Sequence, residues 1–333
     1  MISYLRTPGV LVTLLGFLSI SSVSTVYAQQ SAGGLTYLEP DQPPVVIHSR
    51  VEDAQRARET TGTVLPASSA NDLYYHGGIA GVGIETAPKL YVVFWGSQWN
   101  SNDPSGEASI LQKFYSGVGG SAWMNSVIQY CQGVSSGTHY CNGAGHPAGN
   151  PAHILAGVWY DNSSASPSSP GQSQFASEAV RAAKHFGNST GSSNASAQYV
   201  IATAHGVVPQ GFKTQYCAYH SWTSSSVGYV AYTNLPYITD AGASCGANFH
   251  GLGAHAGITI VSGHEMGETI TDQYPNGGWL DSVGAENGDK CAWISSGQGA
   301  AANISLSTGI FPVQSLWSNA FNSGSGGCVL KYP

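Results

Sequence analysis

Apolar residues along this chain fall into two kinds of block. Residues 89–96 (Lys-Leu-Tyr-Val-Val-Phe-Trp-Gly) form a continuous β-branched and aromatic run between Pro88 and Gly96, the pattern of a strand buried on both faces. Residues 154–160 and 199–204 repeat that pattern, and 216–222 and 227–233 read as two short strands in an aromatic-rich region. Between them apolar residues recur at helical spacing: Ile110 and Phe114 in 109–115, Trp123, Val127 and Tyr130 in 122–130, and Ala179, Val180, Ala182 and Ala183 in 175–186. A further helix is expected over 258–272, stopped by Pro275, Asn276, Gly277 and Gly278. Strands and helices alternate, so the sequence predicts one mixed-sheet α/β or α+β domain over residues 76–333.

The N-terminal part reads differently. Residues 1–28 have the form of a secretory signal: Arg6, a short apolar run over 10–20, and Val26-Tyr27-Ala28 before Gln29. That run is shorter than the roughly 20 residues of a membrane span, and Ser21, Ser22, Ser24 and Thr25 interrupt it. In residues 29–75, Pro40, Pro43 and Pro44 argue against regular structure, and Arg50, Glu52, Asp53, Arg56, Arg58 and Glu59 crowd into one polar run. Such a stretch is expected to bury little, as a linker, an extended arm or a pro-segment.

Composition supports export. Charged residues make up 9% of the chain, against about 25% in an ordinary domain, and 43 glycines point to a loop-rich, neutral surface. The six cysteines (Cys131, Cys141, Cys217, Cys245, Cys291 and Cys328) contain no C-x-x-C and suit disulfides in a secreted protein. Sequential pairing is the simplest of about fifteen connectivities, and sequence does not choose among them. Asn162, Asn188, Asn194 and Asn303 sit in N-x-[ST] acceptors. A net charge of −7 without a basic run excludes nucleic acid as a partner. The expected location is extracellular, in the medium, a cell wall or a periplasm, with no membrane partner once the signal is cleaved.

The candidate chemistry lies at 263–291. Of the 12 acidic residues after position 75, six (Glu265, Glu268, Asp272, Asp281, Glu286 and Asp289) fall between 265 and 289. On a helix His264 and Glu268 project from one face, about 40° apart, and Glu265 lies about 100° round from His264. This is the geometry of the zincin helix H-E-x-x-H, two ligands flanking a general base, with glutamate at the second ligand position. Carboxylate binds zinc, so the substitution is chemically acceptable. Glu286 or Asp289 is expected as third ligand, Glu286 being favoured, with the other orienting His264. His220 and His255 are candidates for an extra ligand or for stabilising an oxyanion, with a structural role among aromatics as the alternative; His205 reads similarly. Calcium is the alternative ion, held by Asp281, Glu286, Asn287 and Asp289. No G-x-S-x-G elbow supports a serine nucleophile.

The order of these motifs resembles the plant EXORDIUM (phosphate-induced) secreted proteins and their microbial relatives. The likeness rests on 88–96, Cys217-x-x-His220, 261–268, Glu286-Asn-Gly-Asp-Lys-Cys291, and Val313-Gln314, Leu316-Trp317-Ser-Asn319 and Cys328. It runs from about residue 86 to the end. Where the family carries two cysteines before the histidine, this chain has Cys217 alone. The resemblance implies secretion and leaves the activity open. The function expected from the residues is a secreted zinc-dependent endopeptidase in which Glu265 deprotonates the attacking water and His220 or a tyrosine steadies the oxyanion. Its partner is then a protein or peptide substrate. The rival is a non-catalytic extracellular protein with a structural metal site that stacks on wall polysaccharide.

Overall fold

The structure, a computed structural model, describes Met1, residues 34–61 and residues 72–332. The expected signal segment lies, Met1 apart, outside the described residues.

Seven strands make one mixed sheet: β1 (Gly34–Thr36), β2 (Val45–His48), β3 (Lys89–Trp95), β4 (Leu155–Asp161), β5 (Ala197–Thr203), β6 (Ala218–Ser225) and β7 (Gly228–Leu235), in the order β1-β2-β6-β7-β5-β3-β4. Strands β3, β4, β5 and β7 run parallel, whereas β6 is antiparallel to both β7 and β2. In β3, Leu90, Val92, Val93 and Phe94 are fully buried, and all seven residues of β5 are buried. Parallel strands are covered on both faces, which is why they read as unbroken apolar runs.

Helix α1 (Val51–Thr61) follows β2. Helix α2 (Glu107–Val118) packs on β3, β4 and α4 (Ala256–Thr271), and α3 (Gln172–His185) packs on β5 and β7. All sixteen residues of α4 are buried. A helix enclosed on every side needs bare patches where neighbours come close, and glycine supplies them. A Cβ on Gly263 would lie 3.2 Å from both the Phe114 and Trp123 rings, and one on Gly267 would lie 3.0 Å from Leu316. The hairpin of β8 (Ala302–Leu306) and β9 (Gly309–Val313) packs on the same helix. Asp272 ends α4 by accepting the backbone N–H groups of Asn276, Gly277 and Gly278 at 2.5–3.1 Å.

Three sequential disulfides, Cys131–Cys141, Cys217–Cys245 and Cys291–Cys328, staple the chain. The mixed α/β expectation agrees with this architecture, and two local expectations do not. The helix expected over 122–130 is a single 3-10 turn at Met124–Val127, because tertiary hydrogen bonds win over helical spacing. Trp123 Nε1 donates to the Gln314 carbonyl and the Tyr130 hydroxyl to that of Trp317. Residues 34–61, expected to lack regular structure and bury little, instead form β1, β2 and α1. Val45, Val46, Ile47 and His48 are all buried. The prolines sit in the connection before β2, where the Pro43 and Pro44 carbonyls accept from Gln172 Nε2 and Ser221 Oγ at 2.8 Å each. Asn194 is no glycosylation acceptor in the folded chain, since its buried amide donates to three backbone carbonyls.

Glu85 is fully buried, with Oε2 accepting from Gln198 Nε2 at 2.8 Å and Oε1 unpartnered. Burial pushes its carboxyl up to about 8 from 4.5. A carboxyl whose pKa is higher in the folded state stabilises the fold in its protonated form. That contribution is whole below the unfolded value and fades as pH rises through about 8. Glu85→Gln should therefore match wild type at pH 5 and exceed it at pH 9 by on the order of 1–3 kcal/mol. Calorimetry at the two pH values checks this, and a variant equally destabilised at both would contradict it.

Candidate metal centre

Four segments distant in sequence converge beneath the sheet edge. Helix α4 supplies His264, Glu265 and Glu268, β6 supplies His220, the turn around Asp289–Cys291 supplies Glu286 and Asp289, and β2 supplies His48. Each is buried. His264 Nε2 lies 3.0 Å from Glu268 Oε1 and 3.7 Å from Asp289 Oδ1. His220 Nε2 lies 3.4 Å from Glu286 Oε1, and its Nδ1 lies 3.3 Å from Glu265 Oε2 and 3.5 Å from Glu268 Oε2. One ligand atom each from His264, Glu268 and Asp289 falls within 4.8 Å of the others, as does one each from His220, Glu268 and Glu286.

Among His220, His264, Glu265, Glu268, Glu286 and Asp289, seven buried atoms have no hydrogen-bond partner: His220 Nε2, His264 Nε2, Glu265 Oε1, Glu268 Oε2, both oxygens of Glu286, and Asp289 Oδ1; both ring nitrogens of His48 are unpartnered too. Orphaned polar atoms cost roughly 1–3 kcal/mol each, so such a concentration calls for a compensating partner. The histidine–carboxylate distances of 3.0–3.7 Å within each group are those of donors around a small cation, because a tetrahedral ion with bonds of about 2.0–2.1 Å holds its ligands about 3.4 Å apart.

Electrostatics agrees with neutral imidazoles and over-crowded carboxyls. Burial lowers His264 to about 4, opposed by nearby Asp289 and by the Gln314 hydrogen bond. Burial and then His264 lower His220 to about 3. Burial, followed by neighbouring carboxylates, pushes Glu265 and Glu286 well above the usual range. Glu268 and Asp289 are likewise raised by burial first. The close histidine–carboxylate approaches are therefore not ion pairs. A neutral imidazole with a free nitrogen beside crowded carboxyls is an arrangement that could hold a metal ion.

The expected site residues fall into place as follows. His264, Glu265, Glu268, Glu286, Asp289 and His220 come together. The ring nitrogen of His264 that points away from the carboxyls meets Gln314 Oε1 at 3.2 Å, so Gln314 holds the orienting position expected of Asp289 or Glu286. Asp289 stands on the ligand side of His264 and Glu286 on that of His220. His255 sits at the exposed start of α4, and His205 contacts Asp240 at 2.5 Å; both lie apart from the centre. The alternative calcium set does not converge, since Asp281 binds Lys290 Nζ at 2.8 Å and the Asn287 amide donates to Gly267 and Thr271 on α4.

Two further residues shape the centre, and sequence reading passed over both. His48 stacks on the His264 ring, centroids 3.8 Å apart and 7° from parallel, and is backed by Trp293 at 4.9 Å. One ligand atom each from His48, His264 and Glu265 falls within 4.8 Å as well. Lone pairs lie in the ring plane, however, so a parallel stacked ring cannot share the ion that lies in the plane of His264. His48 acts as a cover. Its only sequence signal was the Val45-Val46-Ile47 run before it. Trp293 holds φ at +55°, a conformation costing on the order of 1–3 kcal/mol for a non-glycine residue. Its Nε1 donates to the Ser49 carbonyl at 2.7 Å, and Arg58 of α1 donates to the Ala292 and Trp293 carbonyls.

The second is Gly288. A Cβ there would lie 2.7 Å from His264 Nδ1 and 2.9 Å from Glu268 Oε1, while its φ of −78° suits any residue. Gly288→Ala should therefore keep the fold and lower metal affinity about 10–100-fold. Competition against a chromophoric chelator measures this, and unchanged affinity would contradict the geometry. Set against protein-family models, curated proteins and solved structures, the chain matches none.

Proposed function

We propose that this protein is a secreted metal-dependent hydrolase of the zincin-like type, acting on polypeptide, with a zinc-type ion held by His264, Glu268 and Asp289. The observation that carries this is the set of seven buried, unpartnered ligand atoms in one place. The ion supplies Lewis acidity toward water and a carbonyl group. Glu265 is the proton acceptor: Oε1 is unpartnered, and Oε2 is steadied by His220 Nδ1 at 3.3 Å. Neutral His264 offers Nε2 because Nδ1 is taken up by Gln314. Three of the five segments on which the EXORDIUM-like resemblance rests, around Cys217–His220, Val261–Glu268 and Glu286–Cys291, line this centre. The three disulfides suit an oxidising compartment. Among the described residues no helix is long and apolar enough to cross a membrane.

Enclosure bears on the substrate. Strand β2 pairs with β6 in the register Val46↔His220 and His48↔Ala218, so β2, with β1 outside it, covers the edge that β6 would otherwise present beside the centre. A polypeptide that adds to that edge must displace it. Residues 34–61 therefore act as a pro-segment whose departure opens the site. One observation favours the second reading, a structural metal centre without catalysis: Glu265 is wholly buried. Stacking on polysaccharide is less supported, because six of the eight tryptophans lie in the core.

The test places a specific protease sequence between Thr61 and Asp72 of the full chain. Chelator-sensitive hydrolysis of an unfolded polypeptide, appearing after cleavage and release of the arm, is the expected result. Bound metal with no hydrolysis before or after release would favour the structural reading.

A further inference from the structure

We propose that the centre is binuclear, a second divalent cation being held by His220, Glu286 and Glu268, with Glu268 bridging the two ions. This rests on the metal-centre reading above and extends it.

The two histidines are arranged alike. His264 Nδ1 meets Gln314 Oε1 at 3.2 Å, and Nε2 is left without a partner, facing Asp289 Oδ1 and Glu268 Oε1. His220 Nδ1 meets Glu265 Oε2 at 3.3 Å, and Nε2 is left without a partner, 3.4 Å from Glu286 Oε1. A histidine that gives one ring N–H to an oxygen acceptor and presents the other nitrogen bare is set up as a ligand. Both of these are buried, and they face different carboxyls. The single-ion reading uses one of them.

Glu268 stands between the two sets. Its Oε1 lies on the His264 side, where it also accepts the Asp289 backbone N–H at 2.8 Å. Its Oε2 has no partner and lies 3.5 Å from His220 Nδ1, and one ligand atom each from His220, Glu268 and Glu286 falls within 4.8 Å of the others. A carboxylate with one oxygen toward each set spans the 3.5–4 Å typical of paired ions. Neither oxygen of Glu286 has a donor; its neighbours are the bare His220 Nε2 and the Asp272 carboxyl, a crowding that a single ion at His264 would leave unrelieved.

Charge points the same way. Glu265, Glu268, Glu286 and Asp289 share one buried space, and Lys290, beside them in sequence, turns away to Asp281 and the Trp317 ring. With the buried Asp272 beside Glu268 and Glu286 the set is five carboxyls, of which one divalent ion balances two and a pair balances four. Mixed imidazole and carboxylate donors suit zinc or manganese in both positions.

The experiment uses Mn2+ alone as probe. Full-length protein is stripped with chelator, titrated with Mn2+ and followed by electron paramagnetic resonance. The expected result is two ions per chain with an exchange-coupled multiline spectrum. His220→Ala and the near-isosteric Glu286→Gln should each bind one ion with an isolated six-line spectrum. One uncoupled ion in wild type would overturn the second site and leave the first. Two uncoupled ions, or a coupled pair persisting in both variants, would overturn it too. No bound ion would overturn both readings. If the variants fail to fold, the wild-type stoichiometry and coupling decide alone.

Discussion

Stripping the metal should lower the thermal midpoint of this protein sharply, and His264→Ala should blunt the response to chelator. A ligand present at 100–1,000 times its dissociation constant stabilises the folded state by about 3–4 kcal/mol. For a chain of this size that is on the order of 10 °C. The effect should be at the upper end here, because removal of the ion leaves Glu265, Glu268, Glu286 and Asp289 crowded in a buried space, each raised by burial. Those carboxyls must then take up protons to remain buried, so the stripped protein should recover stability as pH falls toward 5. His264→Ala removes a ligand, and its midpoint should lie below that of wild type and fall less than the wild-type midpoint when chelator is added. A midpoint indifferent to chelator in wild type would show that the cluster is content without metal.

The second large effect is on catalysis. In arm-released protein, Glu265→Gln should retain metal and lose hydrolysis by about 10²–10⁴-fold, the usual worth of a positioned general base. The amide keeps the shape of the side chain and its contact with His220 Nδ1 but has no carboxylate to accept a proton. Metal content equal to wild type separates this outcome from simple loss of the centre. Rate constants within threefold of wild type would remove Glu265 from the mechanism and favour His220, the other group that reaches the same space.

What could be read from the sequence was what is local. His264, Glu265 and Glu268 are set by helical spacing within one turn. Gly263 and Gly267, four apart beside them, lie where the helix is closely packed against Phe114, Trp123 and Leu316. Strand β3 was legible because a strand buried on both faces is apolar throughout. The roles of Glu286 and Asp289 were not separable, since both lie at workable spacing beyond His264. The folded turn separates them: the Glu286 N–H donates to Asp289 Oδ2 and the Asp289 N–H to Glu268 Oε1, which swings the Asp289 carboxyl to the His264 side.

His48 and Gln314 were hidden for a different reason. The first reaches the centre through a strand pairing between residues 46–48 and 218–220, and the second through a hairpin fifty residues beyond the histidine it holds. No periodicity within a window reports contacts at such distances. The prolines before Val45 and the charges after His48 masked a four-residue strand that is buried throughout. Arg50 illustrates the error: its charge bonds to Glu52 and Asp53 and to the Lys213 carbonyl, so a polar run became an anchor for the arm.

The metal content of the purified full-length protein, by plasma mass spectrometry beside His264→Ala, tests the central claim most directly. A zinc-type ion bound stoichiometrically in wild type, with at least one ion fewer per chain in the variant, is the predicted result. Wild-type protein free of transition metal, or variant protein that keeps its full complement, would contradict it.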